Sequence, residues 1–160
     1  MEEKFFMTDK EKILEEIEKK YNLKRFLAPQ EQNYEGYEMA LGEIKSGRKK
    51  SHWIWYIFPQ LKILGKSYNA KYYGIENAEE AKGYLIHPVL GARLIEITQA
   101  LLDLEEKDPL KVMRSGIDKQ KLQSSMTLFA YLSEENSIFH KVLKKFFDGE
   151  QDNSTLSFLK

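Results

Sequence analysis

The sequence predicts an all-α protein: a single compact multi-helix orthogonal bundle with a buried central aromatic helix. Apolar residues recur at helical spacing in one segment after another. These segments open on capping residues or prolines, and several close on glycine. No alternating apolar-polar run meets a second one across a turn, and there is no internal repeat, flexible linker or low-complexity tract. A chain of 160 residues amounts to about one domain, long enough to bury a hydrophobic core. With no cysteine, that core must be held by packing alone.

Thr8-Asp9-Lys10-Glu11 has the form of a capping box, so a helix is expected to run to about Tyr21 with Ile13, Leu14 and Ile17 on one stripe. Residues 1–22 form an appended amphipathic N-terminal helix, and 23–160 the single helical domain. Leu23 to Leu27 makes a short helical turn, interrupted where Pro29 disfavours helix before it. Tyr34, Tyr37, Ala40, Leu41 and Ile44 set a helix over about 33–46, ended by a left-handed Gly47. Ser51 is the expected N-cap of a helix from His52 to Ile57, stopped by Pro59. Trp53, Trp55, Tyr56, Ile57 and Phe58 leave that element apolar all round, which is the pattern of a buried helix.

Ser67 caps a short turn to Tyr73, and Asn77 caps a helix to about His87. Pro88 starts the longest expected helix, which buries Val89, Leu90, Leu94, Ile97, Leu101 and Leu104. Asp108-Pro109 opens a short helix ending near Gly116, and Asp118 opens another with Leu122, Ser125, Met126 and Phe129 on one face. Asn136 or Ser137 opens a last full helix, closed by Gly149, and Ser154 to Leu159 forms a final turn.

Net charge is zero, which argues against a nucleic-acid-coated protein, but the charges are unevenly spread. From Ile44 to Ile75 there is no acidic residue, while Lys45, Arg48, Lys49, Lys50, Lys62, Lys66 and Lys71 alternate with aromatic rings. No apolar run reaches the roughly 18 residues of a membrane span. The chain start lacks the basic, then apolar, pattern of a secretory signal, so a cytoplasmic location is expected.

His52 is the candidate general acid or base, because imidazole titrates near neutrality and this one stands beside an expected helix N-terminus. Arg48, Lys49, Lys50 and Ser51 could hold a phosphate or carboxylate over free amides there, with Trp53 stacking a ring. The competing reading is a histidine that pins a loop, with its lysines in solvent. Gln60, Arg93 and Ser124 are further ligand-binding candidates; for Arg93 a salt bridge to Asp118 or Glu96 is the simpler role. His87 reads as a helix-end residue and His140 as a boundary residue. The three histidines share no i, i+3 or i, i+4 spacing, so no metal site is expected, and no motif calls for a cofactor.

Gly47-Arg48-Lys49-Lys50-Ser51-His52-Trp53, Phe58-Pro59-Gln60-Leu61, Tyr73-Gly74-Ile75, His87-Pro88-Val89-Leu90-Gly91, Arg93-Leu94 and Ser124-Ser125-Met126-Thr127-Leu128-Phe129 occur in that order. Together they closely resemble the "domain of unknown function 1810" family from about Leu23 to the C-terminus. The resemblance implies a helical fold with one helix surrounded by others, and no particular activity. The residues therefore support two expectations. One is a site for a phosphate-bearing or nucleotide-like small molecule, turned over with His52 if the protein is an enzyme. The other is a non-enzymatic module that meets a protein partner through its N-terminal helix.

Overall fold

A computed structural model describes residues 6–160. Its helices are α1 (Asp9–Lys20), α2 (Lys24–Gln30), α3 (Tyr37–Lys45), α4 (Ile54–Ile57), α5 (Tyr68–Tyr72), α6 (Ala78–Ile86), α7 (Leu90–Leu102), α8 (Pro109–Met113), α9 (Gly116–Tyr131), α10 (Ile138–Phe147) and α11 (Asn153–Leu159). A 3₁₀ turn spans Lys62–Leu64. No sheet forms among the described residues. A single parallel bridge joins Leu61 to Ile75, where the Lys62 amide donates to Ile75 O at 2.7 Å and the Ile75 amide to Gln60 O at 2.9 Å.

The caps read from the sequence hold at Thr8, Ser67, Asn77, Asp108 and Ser137, whose side chains accept from amides two or three residues ahead. Gly47 and Gly149 take positive φ, as helix-ending glycines do. Other boundaries move. Helix α2 runs through Pro29 to Gln30, since a proline at the end of so short a helix costs one hydrogen bond while its ring packs inward. Helix α3 begins only at Tyr37, leaving Tyr34 exposed, and α9 is capped by Ser115 rather than Asp118. The longest helix is α9, of 16 residues, against 13 in α7.

The architecture places α9 at the centre. Leu122 and every residue from Ser124 to Ala130 are buried, because α10, α11, α8, α6 and α4 cover its sides. That encirclement explains why α9 shows little amphipathicity despite its length. The aromatic segment is buried beside it: Trp53, Ile54, Tyr56, Ile57 and Phe58 all belong to the core. Helices α6 and α7 turn through 86° at His87–Val89. Gly91 permits that corner, since a Cβ there would lie 2.0 Å from the Leu85 carbonyl oxygen. No single helix among the described residues is long and apolar enough to cross a membrane.

Helix α1 buries none of its residues, and Ile13 stays 56 % exposed. It is held where Ile17 and Tyr21 approach Gly83, and where Glu18 meets His87 Nε2 at 2.7 Å. His87 Nδ1 accepts from the Val89 and Leu90 amides, so this histidine caps the α7 entrance. Deleting residues 1–20 should therefore leave a cooperatively folding domain with a lowered melting temperature. Thermal unfolding checks this, and loss of the cooperative transition would make α1 part of the core.

Candidate functional site

The segment from Arg48 to Trp53 is built around Glu43. This carboxylate, on the last turn of α3, accepts from the Lys50 amide (2.6 Å), the Ser51 amide (2.9 Å), the Ser51 hydroxyl (2.6 Å) and the Trp53 indole N–H (3.0 Å). The amides and hydroxyl expected to cradle a ligand anion hold the protein's own carboxylate instead. The sequence reading counted acids only after Glu43, and this acid reaches back over the loop. Ser51 consequently caps no helix, and α4 begins at Ile54 rather than His52.

Lys49 is likewise turned inward. It is 5 % exposed, pairs with Asp118 at 2.9 Å, donates to the Ser51 carbonyl and lies 5.0 Å from the Trp53 ring centroid. Trp53 is fully buried and so presents no stacking face. His52 is exposed; its amide donates to the Glu35 carboxylate, and Arg48 and Lys50 point to solvent. Arg93 pairs with neither Asp118 nor Glu96. Its guanidinium donates to Glu31 at 2.8 Å and to Gln30 at 3.2 Å, and lies over the Tyr37 ring.

Burial pushes the Glu43 carboxyl up, but the hydrogen bonds from Ser51, the Lys50 amide and Trp53 outweigh it and leave its pKa below the ordinary value. A depressed folded-state pKa contributes stability above the unfolded carboxylate pKa of about 4.3 and loses it as pH falls through the folded value. The parent should thus lose stability below about pH 4.3 more steeply than Glu43→Gln, which has no such proton to take up. Denaturant midpoints at stepped pH test this; parallel curves would contradict it.

Gln60 and Ser124, the other two candidates, do come together. They line a groove of about 900 Å³ between the 62–70 segment, the exposed face of α9 and the start of α11. Gly116, Ile117, Gln120, Lys121 and Ser124 recur at helical spacing along one face of α9, which is why one helix supplies a whole wall. Ile63, Leu64, Lys66, Ser67 and Ala70 form the opposite wall, and Asp152 and Ser154 close one end. Ile63 and Ile117 are 67 % and 69 % exposed and form its apolar lips.

The charge balance of this groove is positive. Neither Lys66 nor Lys121 has a carboxylate within salt-bridge distance among the described residues. The acid Asp152 is already engaged, accepting from the Thr155 hydroxyl (2.5 Å), the Thr155 amide (3.0 Å) and, more distantly, Gln120 (3.5 Å). Lys121 Nζ stands 5.3 Å from the centroid of the half-buried Trp55 ring. Desolvation lowers its pKa, with Lys49 acting in the same direction and Asp118 opposing. Sequence reasoning missed Lys121, which looks like any surface lysine in Lys119-Gln120-Lys121; its signal is the i, i+3 spacing to Ser124.

A second hollow of about 410 Å³, lined by Lys20, Arg25, Lys62 and Lys71, has much of its charge spent internally. Arg25 pairs with Glu80 at 2.6 Å and Lys62 with Glu76 at 3.6 Å. No cluster of His, Asp and Glu with the makings of a metal site occurs among the described residues.

Comparison with curated proteins gives no match. Among solved structures, the crystal structure of the conserved hypothetical protein Rv1873 from Mycobacterium tuberculosis is similar, at 38 % identity and a TM-score of 0.82. The match covers 88 % of this chain and 97 % of that one. Residues 20–159 match the model described as "Protein of unknown function (DUF1810)". With nearly the whole helical body inside that match and only the N-terminal helix outside it, the chain belongs to the DUF1810 family.

Proposed function

We propose that this protein binds a phosphate-bearing or nucleotide-like small molecule in the groove between the 62–70 segment and α9. The observation that carries this reading is the pairing of Lys66 and Lys121, without carboxylate partners, with a roomy groove whose one acid is already hydrogen-bonded. An anion would supply the missing partner, with Gln60, Ser67 and Ser124 offering neutral hydrogen bonds and the apolar lips covering a ring. The ligand's position thus moves from the Arg48–Trp53 loop to α9, while its expected chemistry stays the same.

A ligand that prefers the folded state raises the melting temperature by mass action. Phosphate, nucleotides and phosphorylated metabolites should therefore be screened by thermal shift. At least one is expected to stabilise the parent, and the double variant Lys66→Gln, Lys121→Met should lose that shift. The variant Arg48→Gln, Lys50→Gln should keep it. Loss in the second variant with retention in the first would place the ligand on the loop instead. The competing reading, a protein partner, rests on the apolar residues that α1 leaves uncovered, Ile13 among them; no shift across the whole panel would favour it.

A further inference from the structure

A lysine that only grips an anion works best fully charged and solvated, and Lys66, exposed on the groove rim, has that character. Lys121 does not. It is half-buried and has no carboxylate within salt-bridge distance among the described residues, since the nearby Asp118 is paired with Lys49. One turn further along the same face is Ser124, which also lines the groove.

Resting on the binding reading above, we infer that Lys121 is a nucleophilic amine that condenses with the carbonyl carbon of a small phosphorylated aldehyde or ketone held in this groove. Helix α9, 16 residues long, starts in the groove with Gly116 and Ile117, so the positive end of its dipole favours a phosphate there with Lys66, the Asp118 amide being taken by the Ser115 cap. Lys121 follows about five residues on, roughly 7 Å along the axis, and helical side chains tilt back towards the N-terminus. That separation suits a molecule whose carbonyl lies a few bonds from its phosphate.

The step balances without any further reactant. The lone pair of the neutral amine forms the C–N bond while the carbonyl π pair moves to oxygen, which takes a proton to give a carbinolamine. Loss of that hydroxyl as water, with the remaining nitrogen proton released, leaves an imine. Ser124 and Gln60 line the same groove as Lys121 and supply the hydroxyl and amide to hydrogen-bond that oxygen as it forms and departs. The charged groups around the amine are Asp118 and Lys49 from its own neighbourhood and Lys66 and Asp152 across the groove. Burial away from water favours the neutral, reactive form; Asp118 opposes it, and Lys49 adds a smaller push in the same direction as burial.

The full-length protein incubated with pyridoxal 5′-phosphate and reduced with borohydride would convert such an imine into a stable secondary amine, located by peptide mass spectrometry. Lys121 is expected to be labelled at least tenfold faster than the exposed Lys82 and Lys141, and faster by pyridoxal 5′-phosphate than by pyridoxal, with excess inorganic phosphate slowing it. The rate at Lys121 should also level off at lower pH than at those exposed lysines. Lys121→Met should remove this fast label and leave the slow ones unchanged. Labelling spread over exposed lysines with Lys121 no faster would overturn the inference. If phosphate compounds still raise the melting temperature in that case, the binding reading survives and only the nucleophile is lost; if they do not, both fall.

Discussion

Trp53→Ala is expected to destabilise the fold by about 3–5 kcal/mol, the range for truncating a fully buried aromatic side chain. The ring is sealed among core residues with Phe58 at 6.2 Å, and its indole N–H is one of the donors holding Glu43. The substitution therefore opens a cavity and also weakens the anchor of the 48–53 loop. Trp53→Phe weights the two effects differently, since it loses the donor but leaves a much smaller cavity. It should cost about 1–3 kcal/mol. Midpoints of urea unfolding measure both, and a change near zero for Trp53→Ala would contradict the buried placement. Trp55, to which the sequence assigned equal burial, is only half-buried and should matter less to stability.

Arg25→Ala should cost about 3–5 kcal/mol, because it strands a buried partner charge. The Arg25–Glu80 pair is 2.6 Å apart with side chains only 7 % and 8 % exposed. The same guanidinium donates to the carbonyls of Tyr21, Asn22, Tyr72 and Gly74, tying the entry to α2 to the α5–α6 loop. Breaking a buried pair is harsher than replacing it, so the double variant Arg25→Met, Glu80→Leu should be more stable than Arg25→Ala alone. Equal stability would mean the carbonyl contacts, not the ion pair, carry the effect.

Most of the helix pattern was legible because capping chemistry and apolar spacing are local properties. Thr8, Ser67, Asn77, Asp108 and Ser137 each act within two or three residues of themselves. The site was less legible because its decisive contacts are not local. Glu43 fills the expected anion cradle from seven or eight residues away, and Lys49 finds Asp118 much further along the chain. Neither partnership leaves a periodic signature, so the basic run looked free. Gln60 and Ser124, polar members of the family-like motifs, lie on one groove in the folded chain, while Arg93 from the same motifs pairs with Glu31 elsewhere. The residue that completes the groove, Lys121, is distinguished by half-burial and a missing partner, which only the folded chain reveals.

The central claim, that an anionic ligand sits against the first turns of α9, is most directly tested by calorimetric titration of the Ile117→Glu variant with the ligand that most stabilises the parent. Ile117 is 69 % exposed on the groove lip, and an acid in the first turn of a helix is compatible with folding, so the unliganded melting temperature should hold. The new carboxylate would face the anion at close range, and affinity should fall at least tenfold, while Ile95→Glu on α7, away from the groove, should bind like the parent. Unchanged affinity in a folded Ile117→Glu protein would contradict the account.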